Sequence, residues 1–483
     1  MDLSFAGGRT AANPLRSPVA LVSLLLVVVA LAGGTARPDS LGQVVVRVAC
    51  ALALAGWALL RPAPAIGRLR TGFFFVAAVA LVAALQLVPL PPSVWTALPG
   101  RDFYAASSAA AGMPLPWRPV AVVPSRAASA LFVLLVPLAV LVGLARCTSR
   151  QRVGLLIVVV ALAFASAVLG LAQLSQGEGS PLRWYWVTNT KSAVGFLANR
   201  NHQALLLAAA LPALAAWACT PGLRRDRKRV RAGAAVATAA FFVLMLPTTG
   251  SRAGIVLMAV SLLGAVAIIL PDLRGALGAM RPSRRRRALG AAAAALVAFG
   301  AVVVFFGRNE AFVRLRDLDP TGDLRLRVLP IVIEMLRRFF PIGAGLGSFE
   351  TVYRQFEPLE RLSTTYLNQA HNDLLQVVVE AGLVGGLLLA AFVLWWVAAS
   401  WRAWREPRSA QAQAARAGSV VVLLTLLASL TDYPARTPLL LAVLTIACCW
   451  LLTPGPSPTE AADIAEARRG GGAEGRRSGG RRG

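Results

Sequence analysis

Long apolar runs separated by short polar stretches dominate this chain. They fall at 17–33, 41–60, 72–90, 127–145, 153–173, 196–218, 233–247, 253–271, 289–306, 374–398, 417–433 and 438–454. A helix rises ~1.5 Å per residue, so roughly 20 apolar residues cross the ~30 Å of a bilayer's hydrocarbon. The pattern predicts an all-α, polytopic membrane protein of about 12 transmembrane helices, with one membrane domain over 17–454. Residues 1–16 read as a cytoplasmic N-terminus. Residues 455–483, Gly/Arg-rich and poor in apolar positions, read as a disordered cytoplasmic tail. The first run follows Arg9 and Arg16 and could imitate a signal peptide; its length and the even span count favour a retained helix.

Composition agrees. Hydrophobic residues make up 57% of the 483, charged residues 15% and mean hydropathy is +0.65, where an ordinary soluble domain is nearer a quarter charged. A soluble enzyme and a DNA-binding domain are excluded as readings of the whole chain. The net charge of +27 follows topology instead of nucleic acid. Of the 49 Lys and Arg, 30 fall in alternate loops and the tails, among them 146–152, 219–232, 272–288 and 399–416. This asymmetry is the positive-inside rule and makes those loops cytoplasmic. The run Arg284 to Arg287 then reads as a topology anchor. None of the five cysteines falls in an expected outer loop, so neither a disulfide framework nor a metal-ligand spacing is indicated.

Three outer loops are long. Residues 91–126 are rich in Pro and Trp. Residues 174–195 carry Trp184, Tyr185 and Trp186, which suit a membrane interface. The loop 307–373, before the tenth helix, is the largest polar segment. Within it Leu324, Val328, Ile331, Val332, Met335, Leu336 and Phe339 recur at helical spacing. They predict an amphipathic helix on the outer membrane surface or capping the bundle. Pro330 predicts a kink or a later start there.

Candidate chemistry gathers where expected spans 6, 8, 10 and 12 begin on the outer face. These starts read Asn199-Arg200-Asn201-His202, Ser251-Arg252-Ala253-Gly254, His371-Asn372-Asp373 continuing to Glu380, and Asp432-Tyr433-Pro434-Ala435-Arg436-Thr437-Pro438. Helix N-termini present free N–H groups and partial positive charge. Arginine forks pair with phosphate oxygens. If the starts converge, Arg252, Arg200 and Arg436 make a diphosphate site at membrane depth. Each cluster also has a plainer role: Ser251 and Asn372 as helix caps, the arginines snorkelling to headgroups. Only two histidines occur, His202 and His371. A neutral imidazole can take a proton near neutral pH, and Asn372 and Asp373 could orient His371. Glu380 lies two turns into its span, either as a functional group or as an ion-pair partner of an arginine. The stretch Pro341 to Phe349 is Gly-rich but lacks the Lys-Ser/Thr of a P-loop. It reads as a tight turn with backbone N–H groups available to a substrate. Arg47, inside span 2, fits none of these clusters.

In this order, Asn199 to His202, Ser251 to Gly254, Pro341-x-Gly-x-Gly-x-Gly-x-Phe349, His371-Asn372-Asp373-x-Leu375 and Glu380-x-Gly382-x-x-Gly385 resemble the O-antigen ligase/polymerase superfamily over roughly 190–440. The resemblance implies a GT-C-like fold and an inverting, metal-independent glycosyltransferase with no cofactor. It implies a multi-pass protein of the bacterial inner membrane with its site facing the periplasm. It implies a glycan donor on undecaprenyl diphosphate and, as acceptor, lipid A core or a second lipid-linked glycan. The family's general base falls on His371 and its phosphate-binding arginines on Arg252 and Arg200; Arg436 is added from topology. Asn372, Asp373, Glu380, Asn201 and Ser251 are expected to support them. O-antigen ligase is the first expectation, an O-antigen or exopolysaccharide polymerase the second and a protein O-glycosyltransferase the third. A lipid-linked glycan transporter is the alternative from another class.

Overall fold

In the computed structural model the described residues are 17–59, 66–222, 224–287, 324–362 and 367–452, with Gly290 and Ala294. The expected ninth span at 289–306 (apart from those two residues), the first part of the 307–373 loop and both tails lie outside them. The elements in chain order are α1 (Pro18–Ala32), α2 (Leu41–Leu59), α3 (Arg70–Leu85), α4 (Pro92–Trp95), α5 (Asp102–Ala110), α6 (Pro124–Val133), α7 (Leu135–Ala145) and α8 (Ser149–Ser175). Then come α9 (Arg200–Ala218), α10 (Arg225–Met245), α11 (Arg252–Gly278), α12 (Leu324–Phe339), α13 (Phe349–Phe356), α14 (Asp373–Arg405), α15 (Ala410–Ser429) and α16 (Pro438–Leu452).

Among the described residues eight helices are long and apolar enough to cross a membrane, α6 and α7 counting as one run; α1 and α16 are shorter apolar helices. The chain is a polytopic helical membrane protein. The only strand pairing among the described residues is a two-residue ladder, Pro89 opposite Pro119 and Leu90 opposite Arg118. The third run, expected to reach residue 90, stops at Leu85. Pro89, Pro91 and Pro92 follow, and proline cannot continue a helix. Three other helices outrun their apolar cores. The eighth starts at Ser149 because Thr148 and Gln151 close a capping box. Pro271 is carried inside α11, and α14 continues to Arg405.

Helix α9 is the axis of the bundle, with every residue from His202 to Ala216 buried. It packs against α8, α10, α11 and α15. Its alanines permit this close approach on all sides, since small residues let helix backbones meet. At the site end the fit is tight: a Cβ on Gly254 of α11 would stand 2.6 Å from the Ala204 Cβ.

The expected amphipathic helix is α12. Its apolar face does not lie on a free surface. Val328, Ile331, Val332, Met335 and Phe339 are buried in a second core with Phe349, Val352, Tyr353 and Val379. Each such side chain contributes about 1.5–3 kcal/mol relative to exposure to water. The helix runs through Pro330 from Leu324, so a start at Pro330 is corrected. It caps one end of the bundle over α13 and the first turns of α14.

Candidate functional site

The four polar helix starts do converge, and Asp432 joins them. Asn199, N-cap of α9, donates its amide to Asp432 Oδ2 at 3.1 Å, and Asn201 donates to the same oxygen at 2.6 Å. Ser251, N-cap of α11, donates its hydroxyl to Asn201 Oδ1 at 2.7 Å. From the start of α14, the Asp373 N–H donates to the Asp432 carbonyl at 3.3 Å. His371 places Nδ1 3.3 Å from Asp432 Oδ1. The capping roles hold as well: Asn199, Ser251 and Asn372 each accept from a backbone N–H of their own helix. One short side chain can do both, because its oxygen caps while its amide or hydroxyl hydrogen reaches across.

His371 is the only non-glycine residue with positive φ among the described residues, at 51°. Positive φ is uncommon for a non-glycine residue, and such residues concentrate at functional sites. The imidazole is 25% exposed and so open to an incoming group, while Asp432 beside it is buried. His202 is different. Its ring is buried, Nδ1 lies 3.0 Å from Thr437 Oγ1, and Nε2 lies 3.8 Å from Asp432 Oδ1. Tyr433 stands between the two histidines, with its ring 5.3 Å from His202 and 5.0 Å from His371. Burial alone would push the Asp432 carboxyl up. The two imidazoles beside it and the Asn201 amide hold it well below the usual carboxylate range instead. Asp432 is therefore a lasting anion next to His371, suited to fix its ring and to stabilise an imidazolium.

Arg200 and Arg252 flank this knot, both partly buried. The Arg200 N–H donates to Asn189 Oδ1 at 2.9 Å. Its Nη1 would lie 3.9 Å from a Cβ on Gly250, the left-handed residue (φ 66°) two before Arg252. The two arginines thus rise from adjoining helix starts. Arg436 does not stand with them. Its Nε donates to Asp373 Oδ1 at 2.7 Å and a terminal nitrogen to Glu380 Oε2 at 3.1 Å. Glu380 is fully buried and also accepts from Gln376 at 2.9 Å. Of its two sequence readings, ion-pair partner is the one seen. Two opposed charges hold the Arg436 guanidinium protonated more firmly than usual, against the effect of its burial.

The Gly-rich stretch after α12 is where the reading of free backbone donors is corrected. Helix α14 is broken at Gly382, with φ 61° and ψ −147°. The break frees carbonyls that the stretch fills. Ala344 N–H donates to Val379 O at 2.9 Å, Gly345 N–H to Glu380 O at 2.8 Å, and Leu383 N–H to Pro341 O at 2.8 Å. Leu346 N–H donates to Gln86 Oε1 at 2.9 Å. These donors are spent within the protein and hold Glu380 in place.

Asp432 is the residue that sequence reasoning passed over. In the sequence it is one residue of a polar run before the last helix. The available signal was a carboxylate at a span boundary, costly there unless it has partners.

No curated protein matches the chain. Residues 234–390 match a family model described as O-Antigen ligase, and the match includes the Ser251–Arg252 start, the Gly-rich stretch and the His371–Glu380 start. That part of the chain, about a third of it, is thus similar to the O-antigen ligase family, and it lies within a multi-pass helical membrane protein.

Proposed function

We propose that the chain is an inner-membrane glycosyltransferase that moves a glycan from undecaprenyl diphosphate to an acceptor hydroxyl at the periplasmic face, acting as an O-antigen ligase. The observation that carries this reading is the meeting of His371, held in a left-handed conformation, with the Asp432 anion at 3.3 Å. Arg200 and Arg252, both partly buried, begin the two helices whose Asn201 and Ser251 join this network, and Arg252 lies within the O-antigen ligase match. His371 takes the proton from the acceptor hydroxyl, and Asp432 stabilises the imidazolium. The hydroxyl oxygen forms a bond to the anomeric carbon from the face opposite the diphosphate, whose C–O bond breaks, so the configuration inverts. The electron pair leaves with the diphosphate. Arg252 and Arg200 offset the charge that develops there, where low dielectric makes preorganised cations most effective. Arg436, already neutralised by two carboxylates, holds the start of α14 and hence His371. No metal or cofactor enters the reaction.

The test is transfer by purified protein in liposomes, given labelled glycan on undecaprenyl diphosphate with and without lipid A core. Label moving to core only when core is present establishes a ligase. Ladder growth without core establishes a polymerase on the same site. His371→Ala is expected to abolish transfer with the protein still inserted and donor still bound, and Arg252→Ala to weaken donor binding. Full transfer by His371→Ala removes the base from the mechanism. Absence of any covalent product from folded, donor-bound protein points to transport.

A further inference from the structure

His202 takes no part in the transfer proposed above, yet it is one of only two histidines in the chain. It lies in the first turn of α9 with its ring 2% exposed. Its Nε2 is buried without a hydrogen-bond partner. A buried polar atom left unpaired is costly, so a ring that only filled space would be better apolar.

The place of the proton on this ring follows from its two neighbours. Nδ1 lies 3.0 Å from Thr437 Oγ1, and Nε2 faces Asp432 Oδ1 at 3.8 Å. With no water to solvate a charge, the resting ring is neutral and carries one proton, on one nitrogen or the other. Were it on Nδ1, the Nε2 lone pair would be turned on a carboxylate. With it on Nε2, an N–H points at the anion and the Thr437 hydroxyl donates to Nδ1. Electrostatics favours the second form.

The Asp432 carboxylate is already engaged elsewhere. Oδ2 accepts from Asn199 and Asn201, and Oδ1 from the Tyr433 N–H at 3.0 Å. What is left of Oδ1 lies between His371 Nδ1 at 3.3 Å and His202 Nε2 at 3.8 Å, and neither nitrogen completes a hydrogen bond. Two imidazoles compete for one oxygen. When His371 gains a proton it draws Oδ1 into a charge-assisted bond, and His202 loses its share. The Nε2–H dipole, positive end foremost, also opposes a positive charge on His371. Both effects have one sign: they disfavour a proton on His371. The other titratable or charged groups around the pair are Tyr433, whose ring stands between the histidines, and the Asp373–Arg436 ion pair at the start of α14. Arg200 and Arg252 begin α9 and α11, while Ser166 of α8 and Ser251 of α11 meet Gln203 and Asn201 and do not titrate.

We propose that His202 is a positioning residue for His371, a buried neutral imidazole that shares Asp432 Oδ1 and keeps the exposed imidazole free of its proton between turnovers. Its purpose rests on the transfer reading, because a general base has to begin each cycle neutral. The competition for Oδ1 stands on geometry alone.

The test is nuclear magnetic resonance on the full chain in liposomes, labelled with nitrogen isotope in histidine and purified through a tag without histidine. The signals then come from these two rings alone, and imidazole nitrogen shifts read both tautomer and charge. His202 is expected to stay neutral with its proton on Nε2. His202→Leu, which removes the competing donor, is expected to raise the ratio of protonated to neutral His371 at neutral pH at least about threefold. His202→Gln, whose amide nitrogen falls near Nε2, is expected to restore most of the original ratio. The rising limb of transfer rate against pH should move to higher pH in His202→Leu and return in His202→Gln. A lost packing contact would lower the rate without moving the limb. If His202→Leu fails to fold, His202→Asn, which keeps the side facing Thr437 and lacks the donor, takes its place with the same expectation. An unchanged His371 ratio in the folded variant, or a His202 proton on Nδ1, overturns the proposal. A raised ratio in a protein that makes no covalent product upholds the competition and overturns only the transfer reading. Transfer that needs His371 but keeps its limb in the folded variant does the reverse.

Discussion

Asp432, His371 and Arg436 form two charge groups that share a backbone segment of five residues. In the first, one carboxylate accepts from Asn199 and Asn201 and lies against both imidazoles. In the second, one guanidinium satisfies Asp373 and Glu380. Breaking a buried pair by removing one member costs about 3–5 kcal/mol, because the remaining charge is stranded. Arg436→Met strands two carboxylates. It is expected to lower stability in detergent by about that amount, seen as a fall in the thermal midpoint, and adding Asp373→Asn and Glu380→Gln should restore much of it. Failure of the added substitutions to recover the midpoint would show that Arg436 works through packing. The arginine itself was legible as a cation at a helix start. Its partners were not, because Glu380 is 56 positions away and only the fold brings it near.

At the scale of elements the break in α14 does most to shape the site. Gly382 has φ 61°, and a Cβ there would stand 2.0 Å from Pro341 O. The conformation is open to glycine and strained for other residues, at about 1–3 kcal/mol before the clash is counted. Gly382→Val is expected to cost at least 2 kcal/mol and to depress transfer by releasing the Gly-rich stretch from the carbonyls of Val379 and Glu380. Thermal unfolding together with the transfer assay checks both parts. Glycine spacing in 341–347 announced an unusual turn. What that turn meets was hidden, since its partner is another interruption some 40 residues on. The helix before it was legible for the opposite reason. A 3.6-residue apolar period needs no knowledge of the partner, only that one exists. Its depth of burial then had to come from α13 and α14.

For the whole molecule, the polar helix starts share one end of the bundle, and the basic loops 146–152, 219–232, 272–288 and 399–416 alternate with them along the chain. Under the proposed function, the positive-inside rule puts these starts on the periplasmic side, opposite the basic loops. Met113, exposed in the 91–126 loop, and Arg285, exposed beyond α11, report the two sides. With native cysteines replaced, Met113→Cys is expected to react with an impermeant maleimide in cells whose outer membrane alone is opened. Arg285→Cys should react only after the inner membrane is breached. The reverse pattern would place the site in the cytoplasm and remove the periplasmic mechanism.

Local physics explains what the sequence determined by itself. Hydrophobic run length, charge asymmetry between loops, capping residues and helical periodicity act within a few turns of chain, so they specify the spans, their expected orientation and the polar starts. The O-antigen ligase resemblance came from the same short-range motifs. Contacts between distant segments belong to the tertiary structure alone. Asp432 meets Asn201 across 231 positions, Arg436 finds Glu380 before it can be a free phosphate ligand, and His202 and His371 share the Asp432 carboxylate. Each outcome turns on which buried charge is matched by which partner, and that matching is fixed only when the helices pack.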